Sequence, residues 1–370
     1  MTPQTEAELA EAVHGAAGPL WVQGGGTRGP AGGGAVLHTG GLSGITLYEP
    51  GALTLVAQAG TPLAEIEAAL QAEGQRLAFE PMDHRGLLGS TGTPTIGGVV
   101  AANVSGPRRI AVGACRDFML GVRFVDGAGT VIKNGGRVMK NVTGYDLVRL
   151  LTGSRGTLGV LSEVSLKVLP APAERATLLI DGLSDTQAVA AMSAALGSPY
   201  EVTGAAHTPA GVDGHPVTMI RIEGFEEQIA HRTEQLRDLL GRFGAVTVER
   251  DPERTAAGWA WVRDVAPFHD RAGDVWRISC KPGDGPALAA RLEADGLLYD
   301  WGGGLIWALL PEGTDARARL GAYDGHATRV RGDSGPAPRF EPQPAPLAAI
   351  SAGLRQRFDP RGILNPGLMG

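Results

Sequence analysis

The most regular alternation in the chain covers residues 159–169. Val160, Ser162, Val164, Leu166 and Val168 fall on one face and Leu161, Glu163, Ser165 and Lys167 on the other, which is the period of a β-strand. A continuous apolar run at 53–59 predicts a buried strand. Thr61-Pro62 then opens a helix whose Leu63, Ile66 and Leu70 share a face as far as Gly74. Near the start, Thr5 with Glu8 three residues on forms a capping box ahead of Leu9 and Val13, so a helix is expected up to Gly15. Residues 20–22 predict a short strand that feeds Gly24-Gly25-Gly26-Thr27-Arg28-Gly29, and strands within 120–133 flank the hairpin signal Asp126-Gly127-Ala128-Gly129.

Between these elements, residues 79–106 show no period and carry Gly89, Gly92, Gly97 and Gly98; long irregular segments of this kind are usually functional. Pro170 and Pro172 mark a change of style. From 174 to 335, strand-like runs at 177–180, 217–222, 275–280 and 305–310 alternate with amphipathic helices, one capped by Ser184 and Gln187 and another over 225–243. A proline-rich link, 336–346, leads to a last helix near 347–358. This pattern predicts an α+β protein of two domains, 1–170 and 171–339.

Composition narrows the possibilities. A chain of 370 residues with 43% hydrophobic and 19% charged residues buries a sizeable core, which excludes a disordered chain. The net charge of −6 supplies no basic footprint and argues against nucleic acid as a partner. Cys115 and Cys280 are the only cysteines, so thiolates cannot build an iron–sulfur cluster or a zinc site, and a reducing compartment is expected. The acidic residues of the opening segment and the lack of a long apolar run predict no secretory signal and no transmembrane helix, hence a cytoplasmic protein.

The glycine turn at 24–29 fits a plain tight turn, and it fits equally an anion site in which successive N–H groups converge. It is not a dinucleotide Rossmann fingerprint, because Pro30 and Gly32 to Gly34 forbid the helix that must follow, and no P-loop exists. The stretch 89–103 offers hydroxyls and small residues suited to a flat ring lying close to backbone amides. Two such loops suggest a long, bent, doubly anionic ligand.

The ordered series Val22-Gln-Gly-Gly-Gly-Thr27, Thr95-Ile-Gly-Gly98 with Asn103, Gly135-Gly136 through Asn141 to Gly144-Tyr145-Asp146-Leu147, and Gly153 to Val160 resembles the FAD-binding (PCMH-type) domain of the vanillyl-alcohol oxidase and p-cresol methylhydroxylase family. Gly362-Ile-Leu-Asn-Pro-Gly367 resembles the C-terminal return of its lactate- and glycolate-oxidising branch. Trp259 to Asp264, Pro267-Phe268 and Tyr299 to Trp307 resemble the second domain of the small flavin subunits of bacterial glycolate oxidases. The resemblance implies that residues 340–370 return to the FAD domain. It also implies that Gly24, Gly25, Gly26 and Thr27 hold the FAD pyrophosphate with Arg28 nearby. Gly92, Thr95, Gly97, Gly98 and Asn103 would run along the diphosphate and isoalloxazine, Gly156, Gly159 and Val160 along the ribityl and adenine ends, and Pro81 would match a family proline.

Positions 22–29 contain no histidine for a covalent flavin link, so noncovalent FAD is implied, with His84 expected on the surface. The H-x-G-D-G-N-x-H stretch of the larger catalytic relatives is missing, and His207, His215, His231, His269 and His326 are dispersed, so no metal is expected. A 2-hydroxyacid carboxylate needs a cation, and Arg263, Arg277 and Lys281 are the candidates. Arg263 fits better a structural arginine among tryptophans and Asp264, and Tyr145 fits equally a flavin-side residue or a packing one. The implied function is flavin chemistry in glycolate oxidation to glyoxylate, beside a larger FAD-binding subunit and an iron–sulfur subunit at the inner face of the cytoplasmic membrane. A stand-alone D-lactate-type dehydrogenase is the alternative.

Overall fold

The computed structural model describes residues 1–29, 32–137, 144–332 and 337–369. Pro30, Pro336 and Asn141, with the middle of its motif, lie outside them. The first sheet has five antiparallel strands in the spatial order Ile45–Glu49, Thr54–Gln58, Val160–Lys167, Met119–Val125 and Val131–Gly135. The cleanest alternation in the sequence thus lies at the centre of this sheet. A separate parallel pair, Leu20–Gln23 with Ala35–His38, carries the glycine turn, and Leu20 also bridges Leu364 of the tail.

The second sheet has eight strands, in the order Val246–Glu249, Glu174–Asp181, Val217–Gly224, Val202–Thr208, Gly296–Asp300, Leu305–Leu310, Asp274–Cys280 and Gly325–Arg331. Its two faces have different neighbours. Trp276, Ile278, Ile306 and Ala308 pack with the helices Asp185–Leu196, Glu226–Leu240 and Gly285–Leu292. Val275, Leu305, Trp307 and Leu309 share one apolar cluster with Phe79, Val99 and Phe118 of the first half. Period-two alternation therefore turns every second side chain of this sheet towards the first half.

Some local expectations change. Thr5 caps the helix Glu6–His14 by accepting from Glu8 N, but the Glu8 carboxylate reaches Gln4 N instead of completing the box. The helix Leu63–Ala72 has no side-chain cap, because the Thr61 hydroxyl donates to Gln58 O at 2.7 Å. The segment 79–106 is not wholly irregular: it contains the short helices Arg85–Leu88 and Ile96–Ala101, the second capped by Thr95.

Candidate cofactor site

The Leu20–Gln23 strand delivers the chain into the glycine turn, and the turn lies directly on the second loop. A Cβ at Gly25 would sit 1.5 Å from the Thr93 carbonyl oxygen, and one at Gly92 would sit 1.7 Å from that of Gly25. Both contacts are with backbone, which cannot swing away. At Gly25 and Gly92, both expected to let an anion approach, the other loop takes the space of the absent side chain. Gly26, at φ +69°, and Gly29, at φ +122°, are the positions of the turn that use positive φ. A Cβ at Gly24 would meet the Thr95 hydroxyl at 2.5 Å, the same hydroxyl that accepts from Gly98 N at 3.3 Å.

Beside this junction is a cavity of about 310 Å³ lined by Gly24 to Gly29, Gly98, Ala101 and Ala102, with Arg28, Arg155 and Arg339. Among the described residues, none that lines it carries a carboxylate. Nε and Nη2 of Arg28 are buried without a hydrogen-bond partner among the described residues, and burial pushes the guanidinium down to about 10. Arg155, held at φ +54°, lies over the Phe340 ring at 4.8 Å; burial, then repulsion from Arg339, Arg277 and Arg28, pushes it to about 10 as well. Both stay cationic at neutral pH. Buried donors of a charged group left without a partner, as on Arg28, cost several kcal/mol, so the cavity is built for a ligand that brings negative charge.

The tail holds the cavity closed. Asn365 accepts from Val22 N at 2.7 Å through Oδ1 and donates from Nδ2 to Arg155 O at 2.8 Å. One side chain thus fixes the entry strand and the arginine together. The Gly362 to Gly367 motif pointed to this segment without indicating what Asn365 does.

Residues 1–135 match the FAD binding domain family. Glycolate oxidase subunit GlcE of Escherichia coli K12 is 39% identical over 330 residues, which is 88% of this chain and 84% of that protein. The chain belongs to the GlcE family of glycolate oxidase subunits. Glycolate oxidase subunit GlcD of Bacillus subtilis is 35% identical over 150 residues, covering 40% of this chain and 30% of that protein. An alkyldihydroxyacetonephosphate synthase structure shares the fold at 18% identity, with a TM-score of 0.71 over 99% of this chain and 76% of its own. The architecture is the α+β, PCMH-type one, and FAD is the cofactor.

In this GlcE-family chain the remaining expected cofactor residues are placed unevenly. Gly97 packs on the Ala59 carbonyl, with its would-be Cβ 2.6 Å from that oxygen. Gly156, at φ +72°, faces Asn365 and Val22 beside the cavity. Gly159 lies against the Phe124 ring, and Val160 is a fully buried strand residue in the apolar cluster with Leu9 and Leu20. Asn103, at φ +49°, accepts from Arg116 N at 3.1 Å. Pro81 lines a different cavity, together with Glu80 and Arg263.

The candidates for other roles also separate. Arg263 forks onto Asp264 at 2.8 and 2.7 Å, and it is Arg221 that lies over Trp259, at 4.4 Å. Tyr145 is 87% exposed, and Lys281 pairs with Asp324 at the surface. His84 is half-buried, a correction to its surface placement; burial and the Arg28 charge lower it to about 3, so it is neutral. His207 is buried between Thr218, at 2.9 Å, and Asp185, at 3.4 Å.

Arg277 stands apart from these. It shares the face of its strand with Val275, turned towards the first half, and its guanidinium lies 4.9 Å from the Trp301 ring and 6.0 Å from the Trp307 ring. Burial, then the Arg109 charge, pushes it down to about 10. No carboxylate forms an ion pair with it among the described residues.

Proposed function

We propose that this chain is the small flavin subunit of a glycolate oxidase, binding FAD noncovalently and passing on the electrons released when glycolate becomes glyoxylate. The observation that carries this reading is the likeness to GlcE over most of both chains, and the arginine cavity, to which no described residue adds a carboxylate, is consistent with it. Bound FAD supplies a two-electron acceptor. The chain's own residues bind and orient it: Gly24 to Thr27 and Gly98 offer backbone, while Arg28 and Arg155 balance the two pyrophosphate charges.

Arg28→Ala should lower FAD affinity about 10- to 150-fold, the worth of a charge-assisted hydrogen bond of about 1.5–3 kcal/mol. FAD released by acid precipitation and measured in the supernatant gives the occupancy. Unchanged occupancy in the variant would remove Arg28 from the site, and yellow colour kept in the pellet would overturn noncovalent binding.

Electrons collected here must leave, and Cys115, buried, and Cys280, half-buried, are too few thiols for a cluster. A larger flavin subunit and an iron–sulfur subunit are therefore the proposed partners, in a complex at the inner membrane face. No helix among the described residues is long and apolar enough to cross a membrane. A tagged copy should co-purify with both subunits from the source cell. Recovery of this chain alone, with glycolate oxidation intact after its deletion, would defeat the complex.

Arg277 favours a second reading, a hydroxyacid site belonging to this chain, because an unpaired, half-enclosed guanidinium suits a substrate carboxylate. Stopped-flow mixing of the isolated protein with glycolate separates the two. Flavin bleaching slower than about 1 s⁻¹, the low end of ordinary turnover, is expected for the relay subunit. Faster bleaching that Arg277→Lys abolishes would make the chain a complete dehydrogenase.

A further inference from the structure

A second cavity, of about 410 Å³, lies between the Leu63–Ala72 helix of the first half and the Pro252–Arg263 helix of the second. It shares no lining residue with the cofactor cavity. Five arginines line it: Arg76 and Arg108 from the first half, and Arg175, Arg221 and Arg263 from the second. Glu67 and Glu80 in the lining, with Glu223 and Asp264 paired to the arginines, leave one positive charge in excess.

The excess coincides with unused donors. Nε of Arg76 is buried and has no partner among the described residues, although its Nη1 pairs with Glu223 at 3.1 Å. The Thr255 hydroxyl is also buried and without a partner, on a residue 2% exposed. Arg175 is half-buried and makes no side-chain hydrogen bond or ion pair among the described residues. Buried donors are nearly always satisfied in folded proteins, so two of them unmet in the lining of one cavity, one from each half of the chain, mark the place of an absent acceptor. Trp259 and Leu70 provide apolar wall beside them.

We propose that this cavity binds a small oxyanion, a carboxylate or a phosphate, held by Arg76, Arg175 and Thr255, and that the bound anion fastens the two halves of the chain together. This goes beyond the flavin reading and does not depend on it. The site takes compact anions, because Glu80 and Glu223 already occupy the deeper arginines.

The test uses the full chain loaded with FAD, so that the cofactor cavity is filled, titrated calorimetrically with oxalate and separately with inorganic phosphate. One-site binding of at least one probe is expected below about 5 mM, and Arg175→Gln and Thr255→Val should each weaken it about 10-fold, the loss expected for one charge-assisted hydrogen bond. Trp259 emission should change on binding, and a concentration twenty times Kd should raise Tm by about 2 °C. Oxalate alone binding makes this a carboxylate site, and phosphate alone a phosphate site. No saturable binding of either, affinity unchanged in Arg175→Gln, or binding lost in Arg28→Ala but kept in Arg175→Gln would overturn the proposal.

Discussion

Gly25→Val should yield protein with less than a tenth of the parent's FAD. The added Cβ has to displace the Thr93 carbonyl, which it would approach to 1.5 Å, and the backbone on both sides of this contact is held at its ends. Val22 N is fixed by Asn365, and the far end of the second loop is fixed by the Thr95 cap. The two loops must part, and the surface they present jointly to the cofactor is lost. Circular dichroism should show the fold retained, since neither Gly25 nor Thr93 belongs to a strand of either large sheet. Absorbance at 450 nm relative to 280 nm reads the loss directly, and a fully yellow Gly25→Val protein would show that the loops tolerate separation.

Glu223→Gln should destabilise the protein by about 3–5 kcal/mol, the usual effect of removing one partner from a buried ion pair. Glu223 accepts from Arg108 Nε at 2.7 Å and pairs with Arg76, while Arg108 and Arg221 both reach Glu80, at 2.8 and 2.9 Å. Removing one carboxylate leaves three guanidinium groups facing Glu80 alone. For a chain of this length the corresponding fall in Tm is about 4–6 °C.

The pH dependence has a definite sign. Burial opposes the charged form of Glu223, but the Arg108 hydrogen bond and the charges of Arg221, Arg108 and Arg76 outweigh it and hold the carboxyl well below its ordinary range. Glu80 is likewise held low, burial being overcome by Arg221 and Arg108. Carboxylates depressed by folding contribute fully above their unfolded value, near pH 4.5, and lose that contribution as pH falls through the folded value. Tm should therefore decline more steeply below pH 4.5 in the parent than in Glu223→Gln. Parallel curves would show that the network contributes nothing through its charge.

Much of this was legible in the sequence where a local rule governs. The alternation at 160–167, the Ser184–Gln187 capping box and the hairpin at 126–129 depend on neighbours in the chain, and each element forms there. The strand Val202–Thr208 was not legible: its Gly204, Ala205 and Ala206 show no alternation, and its place between two strands follows from tertiary pairing. The glycine loops announced a cofactor but not why glycine is required, since Gly25 and Gly92 answer to each other across 67 positions. Val160 could not be separated from the cavity residues by motif, because the motif runs straight from loop into core strand. The Arg221–Glu80 pair joins residues 141 apart, a distance over which no sequence period operates.

The Asn365 contact has a consequence for how the protein is made. Val22 and its partner Asn365 are 343 residues apart, so the cofactor cavity cannot close while the chain between them is still being synthesised. At the usual 5–20 residues per second, roughly 17–70 s separate the emergence of the glycine turn from the arrival of its latch. During that interval Arg28 and the loop junction exist without the side chain that ties them to Arg155. Stable FAD capture therefore follows the synthesis of residue 365, and nascent chains stalled before it should not retain the flavin.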